Sequence, residues 1–272
     1  MDAKEIEKFV EQHGRHDEEE EKYSLQNNFL GVFPINKIKK IIDKTSEKPF
    51  PFCILNTDEY NAPGQHWFLF HTLKNMKKPS CFLFDSFGKL SLQLAFINND
   101  EKIMKKFINN LKPLKDKENH FDFYRWNVNC NKFISLTHDE KSNLTPTCRG
   151  FFIMLASYLK QYNIKNDKKE TSIDLFGLID IIQDVKKTTC GVFCLYYIYH
   201  LFYPDECYDL QSEKGDITTV KKLINCIFVD QPTSLKNKNI NEAFIKEFIK
   251  NFNIKVDTED ESLMIWTIID AF

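Results

Sequence analysis

Dense apolar blocks alternate along the chain with stretches rich in lysine, asparagine and glutamate, and the spacing of the apolar positions predicts most elements. Residues 2–13 (DAKEIEKFVEQH) set Ile6, Phe9 and Val10 at helical spacing, and an acidic run at 17–21 reads as a solvated linker. Asn28-Phe29-Leu30-Gly31-Val32-Phe33-Pro34 reads as an extended apolar segment closed by proline, and 36–44 as a helix. A strand is predicted at 51–56 (PFCILN), a turn at Asn61-Ala62-Pro63-Gly64, and an aromatic strand at 65–71 that starts beside a histidine, His66. After a turn at 74–79, residues 81–88 (CFLFDSFG) form a further apolar strand that ends in a carboxylate, Asp85, just before a glycine. Strand, turn, strand is a hairpin pattern, and it brings His66 near Asp85.

Further on, 90–111 reads as helical, the aromatic stretch 121–136 as paired strands, 147–162 as an apolar helix starting near Cys148, and 163–172 as a loop. Residues 175–185 (LFGLIDIIQDV) read as a buried strand. Next comes Thr188-Thr189-Cys190-Gly191-Val192-Phe193-Cys194, whose apolar continuation to Phe202 covers every face of a helical wheel, so this helix is predicted to be buried. Threonine is a good N-cap, which puts the Cys190 thiol in the first turn, where the helix dipole and free N–H groups favour a negative sulfur. Gly191 has no side chain to keep a substrate backbone away from that sulfur. Helices follow at about 217–228 and 240–252, then an apolar end at 263–272.

Composition narrows the picture. The 272 residues, 42% hydrophobic with 25 Phe and only 8 Gly, suffice for one large domain. A net charge of −2 excludes a general polyanion binder. The lysine-rich stretches 102–117 and 236–250 read as solvated helix faces and leave room for no more than a weak nucleic-acid contact. None of the eight cysteines forms a CxxC pair or a zinc-finger spacing, so no metal site is expected. Free thiols in a reducing compartment are expected, with no signal peptide and no membrane span.

A cysteine nucleophile needs a base, and the base needs an orienting acceptor. His66 and Asp85 supply that pair on neighbouring strands. Gln183, seven residues before Cys190, can donate its amide to a developing oxyanion together with the Cys190 N–H, and Trp67 can lie over a cationic imidazole. Each residue also has an ordinary reading: a satisfied sheet histidine, a turn cap, a surface amide, a core indole, a core thiol. Cys148 competes as nucleophile, but it lacks the following glycine, and the residue seven before it is Lys141.

Gly64-Gln65-His66-Trp67, Phe84-Asp85-Ser86-Phe87-Gly88, Gln183 and Cys190-Gly191-Val192-Phe193-Cys194, taken together and in this order, resemble the adenovirus maturation protease family (adenain). Asn28-Phe29-Leu30-Gly31 is similar to that family's N-terminal segment. Cys53-Ile54-Leu55-Asn56-Thr57-Asp58 resembles a strand of the African swine fever virus polyprotein protease, and SUMO-deconjugating proteases share the order His, Asp, Gln, Cys-Gly. The resemblance covers roughly 28–90 and 175–203. It implies an α+β fold with a central mixed sheet packed by helices and the nucleophile at the N-terminus of a buried helix. It further implies Cys190 as nucleophile, His66 as base and ion-pair partner, Asp85 as its orienting group and Gln183 as oxyanion donor. Trp67, Gly191 and the segment Asn28, Phe29, Leu30 and Gly31 would line a narrow substrate groove. The implied activity is peptide hydrolysis after small residues in viral capsid or core precursors, in the virion and the host cytoplasm or nucleus, with SUMO-type deconjugation as the alternative. The family's peptide activator is tethered through a cysteine where this chain has Ser172, and the near-neutral charge speaks against a DNA activator, so no cofactor is expected. One protease domain is expected over 1–272, with an N-terminal helix and linker (1–22), an insertion at about 112–172 and a helical extension at 204–272.

Overall fold

The computed structural model describes residues 1–14, 24–34, 51–56, 66–74, 76–88, 111–114, 121–135, 138, 141, 144, 146–183, 189–203, 216–228 and 235–255. The expectations for the acidic run, the helix at 36–44, the turn at 61–64 and the apolar end at 263–272 lie outside these residues, as does the helix at 90–111 apart from Leu111.

Among the described residues, seven strands form one mixed sheet: β1 (Phe29–Pro34), β2 (Phe52–Asn56), β3 (Trp67–Leu73), β4 (Ser80–Phe84), β5 (Leu111–Leu114), β6 (Phe123–Asn129) and β7 (Ser172–Leu178), in the spatial order β1-β2-β3-β4-β7-β6-β5. The class is α+β. β2, β3 and β4 pair antiparallel, while β4 and β7 run parallel, with Ser80 opposite Asp174 and Leu83 opposite Gly177. The strands β2, β3 and β4 are buried along their whole length, which is why they read as largely apolar runs rather than alternating ones. Alternate side chains serve two cores. Phe52, Leu69, Phe82 and Phe84 face one, and Cys53, Phe68, Phe70 and Leu83 face the other.

The first core is covered by α1 (Ala3–His13), α5 (Cys190–Phe202), α6 (Ile217–Ile227) and α7 (Leu235–Asn251). The second is covered by the short α3 (Cys130–Ile134) and the long α4 (Pro146–Asn166). An aromatic cluster ties α1, α5 and α7 together: Phe9 meets Tyr199, Phe248 and Phe252 with ring centroids 5.4 to 6.3 Å apart.

Three elements differ from expectation. The stretch 121–136 is strand only to Asn129, whose side chain then accepts from Lys132 N and starts α3. Asn28 is not extended. It ends the turn α2 (Leu25–Asn28), capped by Ser24, and its own amide returns to the Ser24 carbonyl. The strand read over 175–185 starts earlier and stops at Leu178: Ile179 N makes one last cross-strand bond, to Asp122 O, and Ile182 N then bonds Ser86 O in the turn after β4. Residues read as an insertion, 112–172, carry most of β5, all of β6, and α3 and α4, and β6 pairs with β7 at every position from Phe123 to Asn129.

Candidate functional site

His66 directly precedes β3 and Asp85 directly follows β4. Because the two strands are antiparallel, both residues emerge at one end of the sheet. β7 runs parallel to β4, so its C-terminal end delivers residues 179–183 to the same end, outside the carboxyl ends of two parallel strands. α5 begins there as well, with Cys190 as its first residue.

The contacts are direct. His66 Nε2 lies 2.9 Å from Asp85 Oδ1, and both residues are buried. The Trp67 backbone N–H donates to Cys190 Sγ at 3.4 Å, and Cys194, one helical turn on, donates its thiol to the Trp67 carbonyl at 3.7 Å. The start of β3 is therefore held against two successive turns of α5. Burial alone would lower the His66 pKa, but the Asp85 carboxylate, the neighbouring Cys190 sulfur and the hydrogen bonds to both outweigh it and push it up to about 10. The imidazole is then cationic at neutral pH, with Nε2 donating to the carboxylate and the Cys190 sulfur close by. The ring stacked on it is Phe87, at 4.7 Å and 20°. Trp67, expected above the imidazole, turns its indole edge towards Gly191. A Cβ on Gly191 would lie a tight 3.2 Å from Trp67 Cδ1 and would displace the flexible end of the Met1 side chain, so glycine lets the start of α5 and the indole approach closely.

Asp85 is fixed by its own turn. Its Oδ1 also accepts from Phe87 N at 2.9 Å, and its carbonyl accepts from Gly88 N at 2.9 Å. Gly88 has φ +56°, and a side chain there would run into the carbonyls of Ile179 and Asp180, so this glycine brings the Asp85 turn down onto the segment leading to Gln183. Gln183 is fully buried, and its Oε1 accepts from Ser86 Oγ at 2.6 Å.

Thr189 occupies the N-cap position of α5, but its side chain makes no capping bond. The first i to i−4 bond of the helix is Phe193 N to Thr189 O, so the N–H groups of Cys190, Gly191 and Val192 precede the helical ladder. A thiol sulfur, an imidazole paired with a carboxylate, and first-turn N–H groups meet at one sheet end, an arrangement compatible with acyl transfer through a covalent intermediate.

Cys148 sits in α4 on the opposite core, where burial pushes its thiol up to about 12, as for a packing residue. Asn28, Phe29, Leu30 and Gly31 lie on α2 and β1, with β2 between β1 and β3. The Phe29 ring packs 5.2 Å from Phe52, and the α2 turn leans on α5. Reading the sequence did not single out Ser86, Phe87, Cys194, Met1 or Asn241. Ser86 and Phe87 were within sight in the F-D-S-F-G run, whereas Asn241 carries no local signal. Among the described residues, no group of three or more His, Cys, Asp or Glu is placed to hold a metal ion, and no helix is long and apolar enough to cross a membrane. No protein-family model and no curated protein matches the chain.

Proposed function

We propose that this chain is a cysteine endopeptidase of the adenain type, with the fold of that family. What supports this most directly is the charged imidazole of His66, bonded at 2.9 Å to Asp85 and facing the Cys190 sulfur at the mouth of α5. The Cys190 thiolate attacks the scissile carbonyl and forms the S–C bond. The resulting oxyanion is received by the Cys190 N–H and the Gln183 side-chain amide. His66 gives its proton to the leaving amine as the C–N bond breaks, leaving a thioester. Neutral His66 then takes a proton from water, which attacks the thioester and returns the thiolate. Asp85 holds the ring and favours its cationic form. The close approach of Trp67 to Gly191, next to Cys190, suits a small residue at the cleavage point.

By resemblance, the substrates are capsid or core precursors of a virus, cut after small residues such as glycine in the virion and in the host cytoplasm or nucleus. Co-expression with such precursors and N-terminal sequencing of the products tests this. New N-termini following small residues, lost with Cys190→Ala, are expected, and identical products from Cys190→Ala would refute it. A diglycine-tailed modifier probe that forms an adduct at Cys190, without precursor cleavage, would assign the chain to the deconjugating proteases.

A further inference from the structure

We infer that the Ser86 hydroxyl and the Asn241 side-chain amide of α7 are positioning residues that aim the NH2 end of Gln183 at the oxyanion. The inference rests on the hydrolase chemistry proposed above. A glutamine amide has two ends of nearly equal shape, and only Nε2 can donate to a developing negative oxygen; Oε1 in its place would repel it. In this structure Ser86 holds the Oε1 end. Its hydroxyl donates to Oε1 at 2.6 Å, and because both residues are fully buried, bulk water does not compete for that acceptor. The amide's donor end is therefore the one turned away from Ser86.

The backbone follows the same plan. Ile182 N and Gln183 N both donate to the Ser86 carbonyl, at 2.9 and 3.3 Å, so Ser86 holds this segment by main chain and side chain together. On its other side the Ile182 carbonyl accepts from Asn241 Nδ2 at 3.2 Å, and Asn241 is fully buried in α7. Since β7 ends at Leu178, the sheet ladder does not reach Gln183. Ser86 is also the residue next to Asp85. One turn thus orients the imidazole through Asp85 and the oxyanion donor through Ser86, and α7 braces that arrangement from behind. Oxyanion donors work only within a few tenths of an ångström of their target, so loss of either brace weakens acyl transfer without touching the thiol.

The test compares two reactions of Cys190 in the full chain. Acylation by p-nitrophenyl acetate passes through an oxyanion, and alkylation by iodoacetamide does not. Gln183→Ala is expected to slow acylation by on the order of 10²-fold. Ser86→Ala and Asn241→Leu are expected to slow it by about 10-fold or more, while alkylation at Cys190 stays within about two-fold of the unsubstituted chain. Ser86→Thr, which keeps the hydroxyl, should restore much of the rate. Ser86→Ala should add nothing further to Gln183→Ala, since both act through one amide. Acylation at the unsubstituted rate in both Ser86→Ala and Asn241→Leu, or a parallel fall in alkylation, would overturn the inference. So would an additive double variant. If Ser86→Ala does not fold, Asn241→Leu carries the same comparison. Normal acylation in Gln183→Ala, or a Cys190 that reacts with neither reagent, would instead sink the hydrolase proposal beneath it.

Discussion

Asp85→Asn separates charge from geometry at the imidazole. Asp85 Oδ1 accepts from both His66 Nε2 and Phe87 N, each at 2.9 Å. An asparagine can present its amide oxygen to the same two donors, so the ring keeps its orientation and only the negative charge is lost. A hydrogen bond to a charged partner contributes about 1.5–3 kcal/mol against about 0.5–1.5 for a neutral one. The difference, about 1–1.5 kcal/mol, is close to one pKa unit. His66, held at about 10 in the native chain, should therefore titrate about one unit lower in Asp85→Asn. Asp85→Ala removes the acceptor as well and leaves two buried donors unsatisfied, at a further cost of about 1–3 kcal/mol. NMR titration of the His66 ring gives the shift directly, and the Cys190 alkylation rate at neutral pH should fall in the order native, Asn, Ala. The same shift carries a sign for stability. A raised histidine pKa stabilises the fold fully below about 6.5 and loses that contribution as pH rises through about 10, so Asp85→Asn should flatten the alkaline fall in urea midpoint. An unmoved His66 titration in Asp85→Asn, or Asp85→Ala behaving as native, would refute the reasoning.

Other positions respond differently. Gly88→Ala puts a side chain at φ +56° against two backbone carbonyls and should cost about 1–3 kcal/mol in urea unfolding, with loss of activity; a neutral outcome would mean the Asp85 turn is not packed as described. His71 is buried, donates from Nδ1 to Thr72 O and accepts at Nε2 from Tyr197 O–H at 2.7 Å, and burial holds its pKa down at about 4. Its contribution is present above about pH 6.5 and is lost as pH falls towards 4, amounting to about 3 kcal/mol. His71→Gln should reduce this acid sensitivity, and an unchanged acid limb would contradict the assignment. Cys148→Ala should cost about 1 kcal/mol of stability from a small cavity and leave the reactive thiol's kinetics unaltered; altered kinetics would return Cys148 to candidacy.

Much of this was legible locally. The apolar run after Cys190 could only be a buried helix, and the aromatic strands flanking a short turn placed His66 and Asp85 at one sheet end. Boundaries and supports were less visible because they depend on distant partners. The apolar run 175–185 looks like continuous strand, yet Ile182 and Gln183 turn away to bond Ser86. Residues 112–172 look like an insertion because β6 meets its partner β7 only after the whole of α4 has intervened. Asn241 lies in a lysine-rich helix with no local mark of its bond to Ile182 O. Thr189 was read correctly as the N-cap position but not in its bonding, since capping depends on a side-chain rotamer that the residue type alone does not set.

The central claim is a reactive sulfur at Cys190 held beside a cationic His66, and site-resolved alkylation tests it most directly. Cys190 is 3% exposed, whereas Cys226 is on the surface. Simple accessibility therefore predicts that Cys226 reacts first. Limited iodoacetamide treatment of the folded chain near pH 6, followed by peptide mapping, should instead label Cys190 ahead of Cys226, and His66→Ala should reverse that order. Labelling of Cys226 first in the native chain, with Cys190 modified only on unfolding, would contradict the account.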